Sequence, residues 1–279
     1  MKISFTSRSM YNECSYKWYL HYMRKLRPSK EPSSFAFGHA IDSALNVLLE
    51  TKVLNDAIIE FDTKWLKFKN DNNIKYTKSD LEEHLLSEIE TKEMSDQEKS
   101  WWSLKEKGFI LLSEYYDQVL PKIKKVIKVQ FEDHITNDQG DKLSIKPDLI
   151  CEWENGQILL VDNKTSSVKY DINSVKESEQ LATYFEALKE QYKLDACAFI
   201  VMPKKINKKK KPAINIEIII DTVQETTIEK TFNDYQIALD GIKEGQFSKN
   251  TDNCISKYGP CVYRNYCGNG NSSGLMEKE

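Results

Sequence analysis

The sequence lacks the long apolar runs of a membrane protein. No stretch of about 18 consecutive apolar residues occurs in it, and a helix that spans a bilayer needs roughly that many. The N-terminal stretch MKISFTSRSMYNECSYKWYL also lacks the apolar segment and small-residue cleavage site of a signal peptide. These absences predict no membrane partner and a cytoplasmic location.

A large excess of charge of one sign is also lacking. The formal net charge is −3 at pH 7, which excludes a global polycation, so contact with nucleic acid would have to come from local basic patches. The candidate patches are the runs MRKLRPSK (23–30) and KKINKKKKP (204–212). Taken alone, these runs favour an ordinary solvated helix end and a solvated loop tip.

Two motifs are missing as well. No G-x-x-x-x-G-K-[ST] loop occurs, so nucleotide-driven unwinding of nucleic acid would need a partner. The six cysteines include no C-x2-C pair of the kind that zinc folds show. Cys151 and Cys197 lie in the apolar stretches DLICEW and DACAFIVM and are predicted core residues. The other four are Cys14, Cys254, Cys261 and Cys267, the last three spaced C-x6-C-x5-C.

What is present is the composition of a globular chain, with 40% apolar, 11% aromatic and 30% charged residues among 279. Helical spacing predicts an N-terminal helix over about 7–27 and further helices over 37–49, 55–69 and 101–120. The polar stretch before the last of these helices favours a helical insertion or lobe. Trp101 and Trp102 are interpreted as packing this insertion against the core rather than stacking on bases.

From Val126 onward, alternating apolar and polar residues predict strands, with helices over about 174–191 and 223–244. Helices followed by a β-meander, a helix, strands and a helix predict an α/β fold. We interpret residues 1–279 as a single domain. Its predicted parts are a helical insertion or lobe (50–125), an α/β core (126–245), a cysteine-bearing segment (246–268) that packs with the N-terminal helix, and a flexible tail (269–279).

The segment KPDLICEWENGQILLVDNKTS (146–166) predicts a hairpin with a glycine turn. A two-residue turn would place Asp148 opposite Asn163 and leave Asp162 on the other face of the hairpin. A three-residue loop that ends at a left-handed Gly156 places Asp148 opposite Asp162 instead. Hydrolysis of phosphodiesters with divalent metals needs hard oxygen ligands on rigid elements, so this chemistry predicts the three-residue loop.

Lys164 follows Asp162 by two positions and therefore shares its face of the strand. Both residues follow the apolar run ILLV, where a buried carboxylate is costly unless it is paired or bound to a metal. Solvated residues at the end of a strand are the alternative interpretation, which the short pattern alone does not exclude.

Two neighbouring features extend the pattern. Gln180 and Tyr184 stand four residues apart on a predicted helix and project from one of its faces. Upstream, FGHAIDSALN places Asp42 on a helix, where it offers another carboxylate. His39 in the same stretch is interpreted as a helix-surface or capping residue.

Together these residues resemble the PD-(D/E)xK nuclease superfamily, in particular its RecB-like exonuclease branch. The matches are Pro147-Asp148, Asp162-Asn163-Lys164 with Thr165-Ser166, Gln180-x3-Tyr184, and the segment from Ser7 to about Tyr22. The resemblance implies a restriction-endonuclease-like core, a mixed central sheet flanked by helices, with an N-terminal helical elaboration and a cluster-bound C-terminal segment. It also implies a metal-dependent DNA exonuclease that acts on ends or single strands in DNA processing, recombination or repair.

The same resemblance implies roles for individual residues. Lys164 would orient the attacking water and stabilise charge on the phosphate, while Gln180 would position the DNA or the lysine with support from Tyr184. Asp42 stands where this branch usually has a metal-binding histidine, and aspartate also binds hard metals. The implied ligands of Mg²⁺ or Mn²⁺ are Asp42, Asp148, Asp162 and the carbonyl of Asn163.

The four remaining cysteines suit either a tetrahedral zinc or an iron–sulfur cluster. They are similar to those of the cluster-binding subgroup of these nucleases, seen in AddB-like and CRISPR-adaptation exonucleases. That resemblance implies a [4Fe–4S] cluster that joins the two chain ends behind the catalytic core. Its implied ligands are Cys14, Cys254, Cys261 and Cys267. A zinc-stapled DNA-binding protein and free thiols are the alternatives.

The implied partner is DNA, contacted along its backbone without regard to sequence. A helicase or recombination partner would supply unwinding, and phages and mobile elements often carry compact nucleases of this kind. The residues predicted to contact the backbone are Arg24, Lys25, Arg27, Lys208, Lys209 and Lys210. The alternative function is a catalytically silent DNA-binding or structural subunit that keeps the fold and the cluster.

Overall fold

The computed structural model of the protein describes residues 1–29, 33–71, 96–166, 168–205, 211–256 and 259–278. The α-helices of this part of the chain are α1 (Phe5–Glu13), α2 (Ser15–Trp18), α3 (Ser33–Thr51), α4 (Leu54–Asp71), α5 (Asp96–Gln118), α6 (Ile172–Lys176), α7 (Glu179–Tyr192), α8 (Glu225–Lys243) and α9 (Arg264–Asn269). Shorter helical turns are a π-helical turn (Tyr19–Met23) and two 3-10 turns (Leu120–Lys122 and Thr251–Cys254).

The strands of the described residues are β1 (Lys2–Ser4), β2 (Leu26–Pro28), β3 (Ile123–Val129), β4 (Asp133–Thr136), β5 (Lys142–Ile145), β6 (Leu149–Trp153), β7 (Ile158–Ser166), β8 (Ala196–Pro203), β9 (Glu217–Asp221), β10 (Ile255–Ser256), β11 (Gly259–Pro260) and β12 (Leu275–Glu277). Of the helices in the described ranges, none is both long enough and apolar enough to cross a bilayer.

The predicted α/β class is confirmed by a five-stranded central sheet with the strand order β3-β6-β7-β8-β9. Strands β7 and β8 are parallel, whereas the other neighbours are antiparallel. The sequence of β8, ACAFIVMP, is apolar on both faces and buried at all but its last position, as is typical of a strand covered on both sides. The sheet is therefore a mixed sheet flanked by helices.

The N-terminal helix predicted over about 7–27 is wrong in extent, because it is broken at Cys14. This residue is extended, with φ −163° and ψ 107°, and its Sγ accepts a hydrogen bond from the Lys17 N–H at 3.4 Å as the N-cap of α2. A helix cannot continue through an extended residue, and the thiol takes the capping role that serine or aspartate usually has. The break places Cys14 at the corner between α1 and α2.

Helices α3, α4 and α5 cover one face of the central sheet. The rings of Trp65 and Trp101 are buried and stack at 5.8 Å, and Phe61 stacks on Trp65 at 6.2 Å. These rings share one buried cluster with Leu159 and Val161 of β7. The described parts of the predicted insertion or lobe (50–125) are therefore a layer of the core, and the packing interpretation of Trp101 is confirmed. Residues 72–95 of that segment lie outside the described residues.

Helices α6 and α7 cover the opposite face. The helix predicted over about 174–191 is two helices, because Ser178 caps α7 by accepting the Leu181 N–H at 3.1 Å. Val175 of α6 and Leu181 of α7 are buried with Phe199 of β8. A smaller sheet with the order β1-β5-β4 packs beside this layer, against α1 and α8.

The two chain ends meet beyond the smaller sheet. Strand β12 pairs antiparallel with β2, with Leu275 opposite Pro28. Tyr263 is buried against Leu20 and Leu26, and its hydroxyl donates to the Leu26 carbonyl at 2.9 Å. The flexible tail expected over 269–279 is thus wrong for β12, because backbone hydrogen bonds hold that part of it to the N-terminal region.

Candidate functional site

The hairpin of β6 and β7 has the three-residue loop that metal chemistry predicts. Leu149 lies opposite Val161, and this register continues to Glu152 opposite Ile158. Gly156 is left-handed, with φ +88°, as the third residue of such a loop requires. Extending the register by one residue brings Asp148, at the entry to β6, opposite Asp162 of β7.

Lys164 and Gln180 join Asp162 in one hydrogen-bonded group. The Lys164 Nζ lies 2.5 Å from Asp162 Oδ2 and donates to Gln180 Oε1 at 3.0 Å. Gln180 Nε2 donates to Asp162 Oδ1 at 3.0 Å and approaches the Tyr184 hydroxyl at 3.4 Å. The i, i+4 spacing on α7 therefore brings both predicted helix residues to the strand that carries the lysine.

Asn163 points to the opposite face of β7. Its backbone N–H donates to Asp148 Oδ2 at 2.8 Å, whereas its side-chain Oδ1 accepts from the hydroxyl of buried Tyr115 at 3.2 Å. This arrangement leaves the side chain of Asn163 tied to α5. A ligand role for Asn163 would therefore fall to its backbone carbonyl.

Asp42, on α3, is linked to Asp148 by Gln130, a residue that the sequence pattern did not single out. Gln130, which follows β3, donates from Nε2 to Asp42 Oδ2 at 2.7 Å. Its Oε1 accepts from Asn46 Nδ2 at 2.5 Å. The spacing of Asp42 and Asn46, four residues apart on one helix face, is the signal that could have identified Asn46. His39, by contrast, is exposed on α3, as predicted.

We call Asp42, Asp148 and Asp162, with Lys164 and Gln180, the carboxylate site. Burial, with the charges of Asp162 and Asp42, raises the pKa of Asp148 well above its ordinary value. Burial also raises the pKa of Asp162, against the opposing effect of Lys164. Burial lowers the pKa of Lys164, but the Asp162 carboxylate outweighs it, and the net pKa is raised. The lysine is therefore a firmly protonated cation among carboxylates that burial disfavours.

The donors of the carboxylate site suit a hard divalent cation, since they are carboxylate oxygens whose mutual repulsion such a cation would offset. Protein N–H groups engage these carboxylates: Gln130 binds Asp42, the Asn163 amide binds Asp148, and both Lys164 and Gln180 bind Asp162. Across the described ranges, no group of three or more His, Cys, Asp or Glu side chains is arranged to hold a metal ion. The chemistry of the donor set fits a divalent metal ion. In this structure, however, the carboxylates are oriented by the protein N–H groups that bind them.

Four cysteines come together where the N-terminal helices meet the C-terminal segment. Cys14, Cys254, Cys261 and Cys267 are half-buried free thiols that line one pocket, and we call them the cysteine site. Burial raises the pKa of Cys261, and the nearby thiols of Cys254 and Cys14 act in the same direction. Cys151 and Cys197, in contrast, are fully buried in the core, as predicted.

Hydrogen bonds between distant parts of the chain build the cysteine site. The Asn250 N–H donates to Cys14 Sγ at 3.4 Å, and the side chains of Asn250 and Asn253 donate to the Glu13 carbonyl at 3.1 and 2.6 Å. The Cys261 N–H donates to the Cys254 carbonyl at 2.9 Å. The four thiols line one pocket, but among the described residues they form no group already arranged to hold a metal ion.

The residues predicted to contact DNA lie partly within the described ranges. Arg24 and Lys25 are exposed beside β2. Arg27 is half-buried there and donates from Nη1 to the Leu26 carbonyl at 2.9 Å and also to the His21 carbonyl. This guanidinium therefore supports the local backbone. Lys208, Lys209 and Lys210 lie outside the described residues.

Comparisons with known proteins identify the family of the chain. Among curated proteins, none matches the chain. A family model of the PD-(D/E)XK nuclease superfamily matches residues 2–268, a span that contains the carboxylate site and the cysteine site. Members of this superfamily are metal-dependent nucleases that act on nucleic acid. The chain therefore belongs to the PD-(D/E)XK nuclease superfamily.

Proposed function

We propose that the protein is a Mg²⁺- or Mn²⁺-dependent deoxyribonuclease of the RecB-like branch that degrades DNA from ends or single strands. The observation that carries the proposal is the register of the β6–β7 hairpin. It brings Asp148 opposite Asp162, with Lys164 2.5 Å from the Asp162 carboxylate. A solvated strand end would not require a three-residue loop, whereas a shared catalytic face does.

Asp42, Asp148, Asp162 and the Asn163 carbonyl would hold the metal ion. When bound, the metal supplies Lewis-acid activation of the phosphate and of the attacking water. Lys164 stays protonated because the Asp162 carboxylate raises its pKa, so it can stabilise negative charge that develops on the phosphate. Gln180 holds the Lys164 ammonium group at 3.0 Å, and Tyr184 supports the Gln180 amide.

The test is digestion of end-labelled single- and double-stranded DNA with Mg²⁺ or Mn²⁺. We expect Asp162→Ala and Lys164→Ala to lose activity by about 10²–10³-fold, the typical loss when a group that stabilises the transition state is removed. Lys124→Ala is the matched control, because Lys124 is an exposed lysine on the edge strand β3. Equal digestion by the wild type and both site variants would reject the enzyme and favour a silent DNA-binding or structural subunit.

Circular and linear forms of one plasmid separate two kinds of nuclease. An exonuclease needs an end, so we expect linear DNA to be degraded and covalently closed circular DNA to persist. Cleavage of both forms at equal rates would contradict the exonuclease proposal while leaving the nuclease proposal intact. RNA of the same sequence, tested beside them, checks the preference for DNA.

The proposal includes a [4Fe–4S] cluster bound by Cys14, Cys254, Cys261 and Cys267. All four thiols line one pocket, which supports a shared ligand. The role would be structural, because a crosslink between distant parts of a chain constrains its unfolded state. Iron and sulfide analysis of anaerobically purified protein tests it, and stoichiometric zinc without iron would reject the cluster.

The biological setting follows from the same proposal. Unwinding by a helicase or recombination partner would supply single strands, since the sequence contains no G-x-x-x-x-G-K-[ST] loop. The location that suits such a nuclease is the cytoplasm of a bacterium or of a phage-infected cell. Stimulation of digestion by an added helicase on blunt duplex DNA is the corresponding measurement.

A further inference from the structure

Gln130 has a backbone conformation that the ends of helices do not explain. Four non-glycine residues of the described chain have positive φ: Lys25, Lys52, Gln130 and Lys193. Lys52 follows the last residue of α3, Lys193 caps α7, and Lys25 follows the cap of the π-helical turn, positions where left-handed residues commonly stop helices. Gln130, with φ +33°, follows strand β3 instead. Interactions other than a helix end must therefore hold its backbone in this conformation.

The hydrogen bonds of Gln130 provide these interactions. Its backbone N–H donates to the Asp148 carbonyl at 2.9 Å, and its Nε2 donates to Asp42 Oδ2 at 2.7 Å. Its Oε1 accepts from Asn46 Nδ2 at 2.5 Å, which fixes the orientation of the amide. One residue thus binds Asp42 on α3 and the backbone of the first hairpin aspartate.

The chemistry of an amide suits this position. Burial and the Asp162 charge raise the pKa of Asp42, whereas the hydrogen bond from Gln130 lowers it. Because the amide is neutral, it orients the carboxylate without cancelling the negative charge that attracts a cation. A lysine at this position would cancel that charge.

We infer that Gln130 is a positioning residue that fixes Asp42 relative to Asp148 for the binding of a divalent metal ion. The inference rests on the proposed function, since it concerns the metal site of that nuclease. Loss of a group that orients a metal ligand typically weakens metal binding about 10- to 100-fold. Gln130 variants should show that loss in metal affinity rather than in the stability of the fold.

The decisive variant is Gln130→Gly, because glycine accepts the positive φ while the side chain is removed. We expect the variant to fold with an unfolding temperature close to that of the wild type, because relief of the positive φ offsets the loss of the side-chain hydrogen bonds. We expect its affinity for Mn²⁺, measured by titration calorimetry on metal-free protein, to fall about 10-fold or more. Unchanged Mn²⁺ affinity in the folded variant would overturn the inference.

A double-mutant cycle separates positioning from an independent effect. If Gln130 acts through Asp42, Gln130→Gly should weaken Mn²⁺ binding in the wild type and change nothing further in Asp42→Ala. Equal losses in both backgrounds would overturn the inference. Should Gln130→Gly fail to fold, Asn46→Ala takes its place. It releases the Gln130 amide, and we expect a smaller loss of Mn²⁺ affinity that also disappears in Asp42→Ala.

The outcomes distinguish this inference from the proposed function. If the wild type binds no Mn²⁺ and digests no DNA, both are overturned. If Asp42→Ala weakens Mn²⁺ binding while Gln130→Gly and Asn46→Ala match the wild type, the nuclease proposal stands and the role of Gln130 is rejected.

Discussion

The carboxylate site and the cysteine site gather chemically different groups by opposite means, hard carboxylate oxygens in one and soft thiols in the other. The carboxylate site lies where the ends of β6 and β7 meet α3 and α7, and the regular register of a hairpin brings Asp148 opposite Asp162. The cysteine site lies outside the central sheet, where side-chain and backbone hydrogen bonds join the N-terminal helices to the C-terminal segment. One site depends on a rigid element, and the other depends on the meeting of the chain ends.

The two sites also differ in electrostatics. In the carboxylate site, buried acids repel one another, and the pKa of Asp148 is raised by burial and by its neighbours. The fold therefore holds these charges at a cost in stability, which functional sites commonly carry. In the cysteine site, burial raises the pKa of Cys261, and the neighbouring Cys254 and Cys14 act in the same direction. Replacing Asp148 should therefore stabilise the metal-free protein. Replacing Cys14 should destabilise the protein that holds a cluster.

The largest expected effect is at the cysteine site. Cys14→Ser should lose the cluster and about 4 kcal/mol of unfolding free energy, since a crosslink between chain ends closes a very long loop. Serine preserves the N-cap of α2, so the loss would report the cluster rather than the cap. Iron content and thermal unfolding measure it. Cys197→Ala, in the buried core, is the control that should keep its iron. Full iron content in Cys14→Ser would contradict Cys14 as a ligand of the cluster.

The next effect has the opposite sign, at the carboxylate site. Because the pKa of Asp148 is raised in the folded protein, its ionised form destabilises the fold above the ordinary carboxyl pKa. Asp148→Asn should therefore stabilise metal-free protein at pH 7, by about 1 kcal/mol or more. The gain should vanish as the pH falls below the ordinary value of 3.8, because the carboxyl group then becomes protonated in both states.

Urea unfolding in EDTA across this pH range measures the effect of Asp148→Asn. Asp138→Asn, at an exposed carboxylate, is the control and should change stability by less than about 0.5 kcal/mol. Mn²⁺ at a hundredfold excess over its dissociation constant should stabilise the wild type by about 2.7 kcal/mol and leave the variant unchanged. A variant less stable than the wild type at pH 7 would refute the electrostatic account.

The smallest effect tests the loop that sets the hairpin register. A Cβ at Gly156 would meet nothing within 4 Å, and the same holds at Gly38 of α3. Only the backbone differs, because Gly156 has φ +88°. Gly156→Ala should therefore lower the free energy of unfolding by about 1 kcal/mol. Gly38→Ala, inside a helix, should raise it by about 0.5–1 kcal/mol. Chemical unfolding measures both variants. If both substitutions changed the free energy of unfolding in the same direction, packing rather than backbone conformation would determine their effect.

Several features of the carboxylate site could be predicted because they depend on periodicity. The period of two along a strand joins Asp162 to Lys164, and the helical period joins Gln180 to Tyr184. Gln130 could not be predicted, because its importance depends on a left-handed backbone and on contacts with α3 that cross a large part of the chain. No local pattern encodes such contacts.

The same distinction holds at the chain ends. The sequence predicts four cysteines that stand apart from the two core cysteines, but the break at Cys14 and the pairing of β12 with β2 were not anticipated. Both depend on partners at the opposite end of the chain, because Asn250 and Asn253 bind beside Cys14. Helical propensity extended through this region, and tertiary hydrogen bonds overrode it.

By itself, the sequence determined the α/β class, the loop length of the hairpin and the face that Asp148, Asp162 and Lys164 share. These follow from alternation, turn chemistry and the requirements of metal ligands, all of which act over a few residues. Only the tertiary structure decided that Gln130 binds Asp42 and that β12 pairs with β2. The physical reason is that these contacts join residues far apart in sequence, whose distances are fixed by tertiary packing and hydrogen bonds rather than by any local pattern.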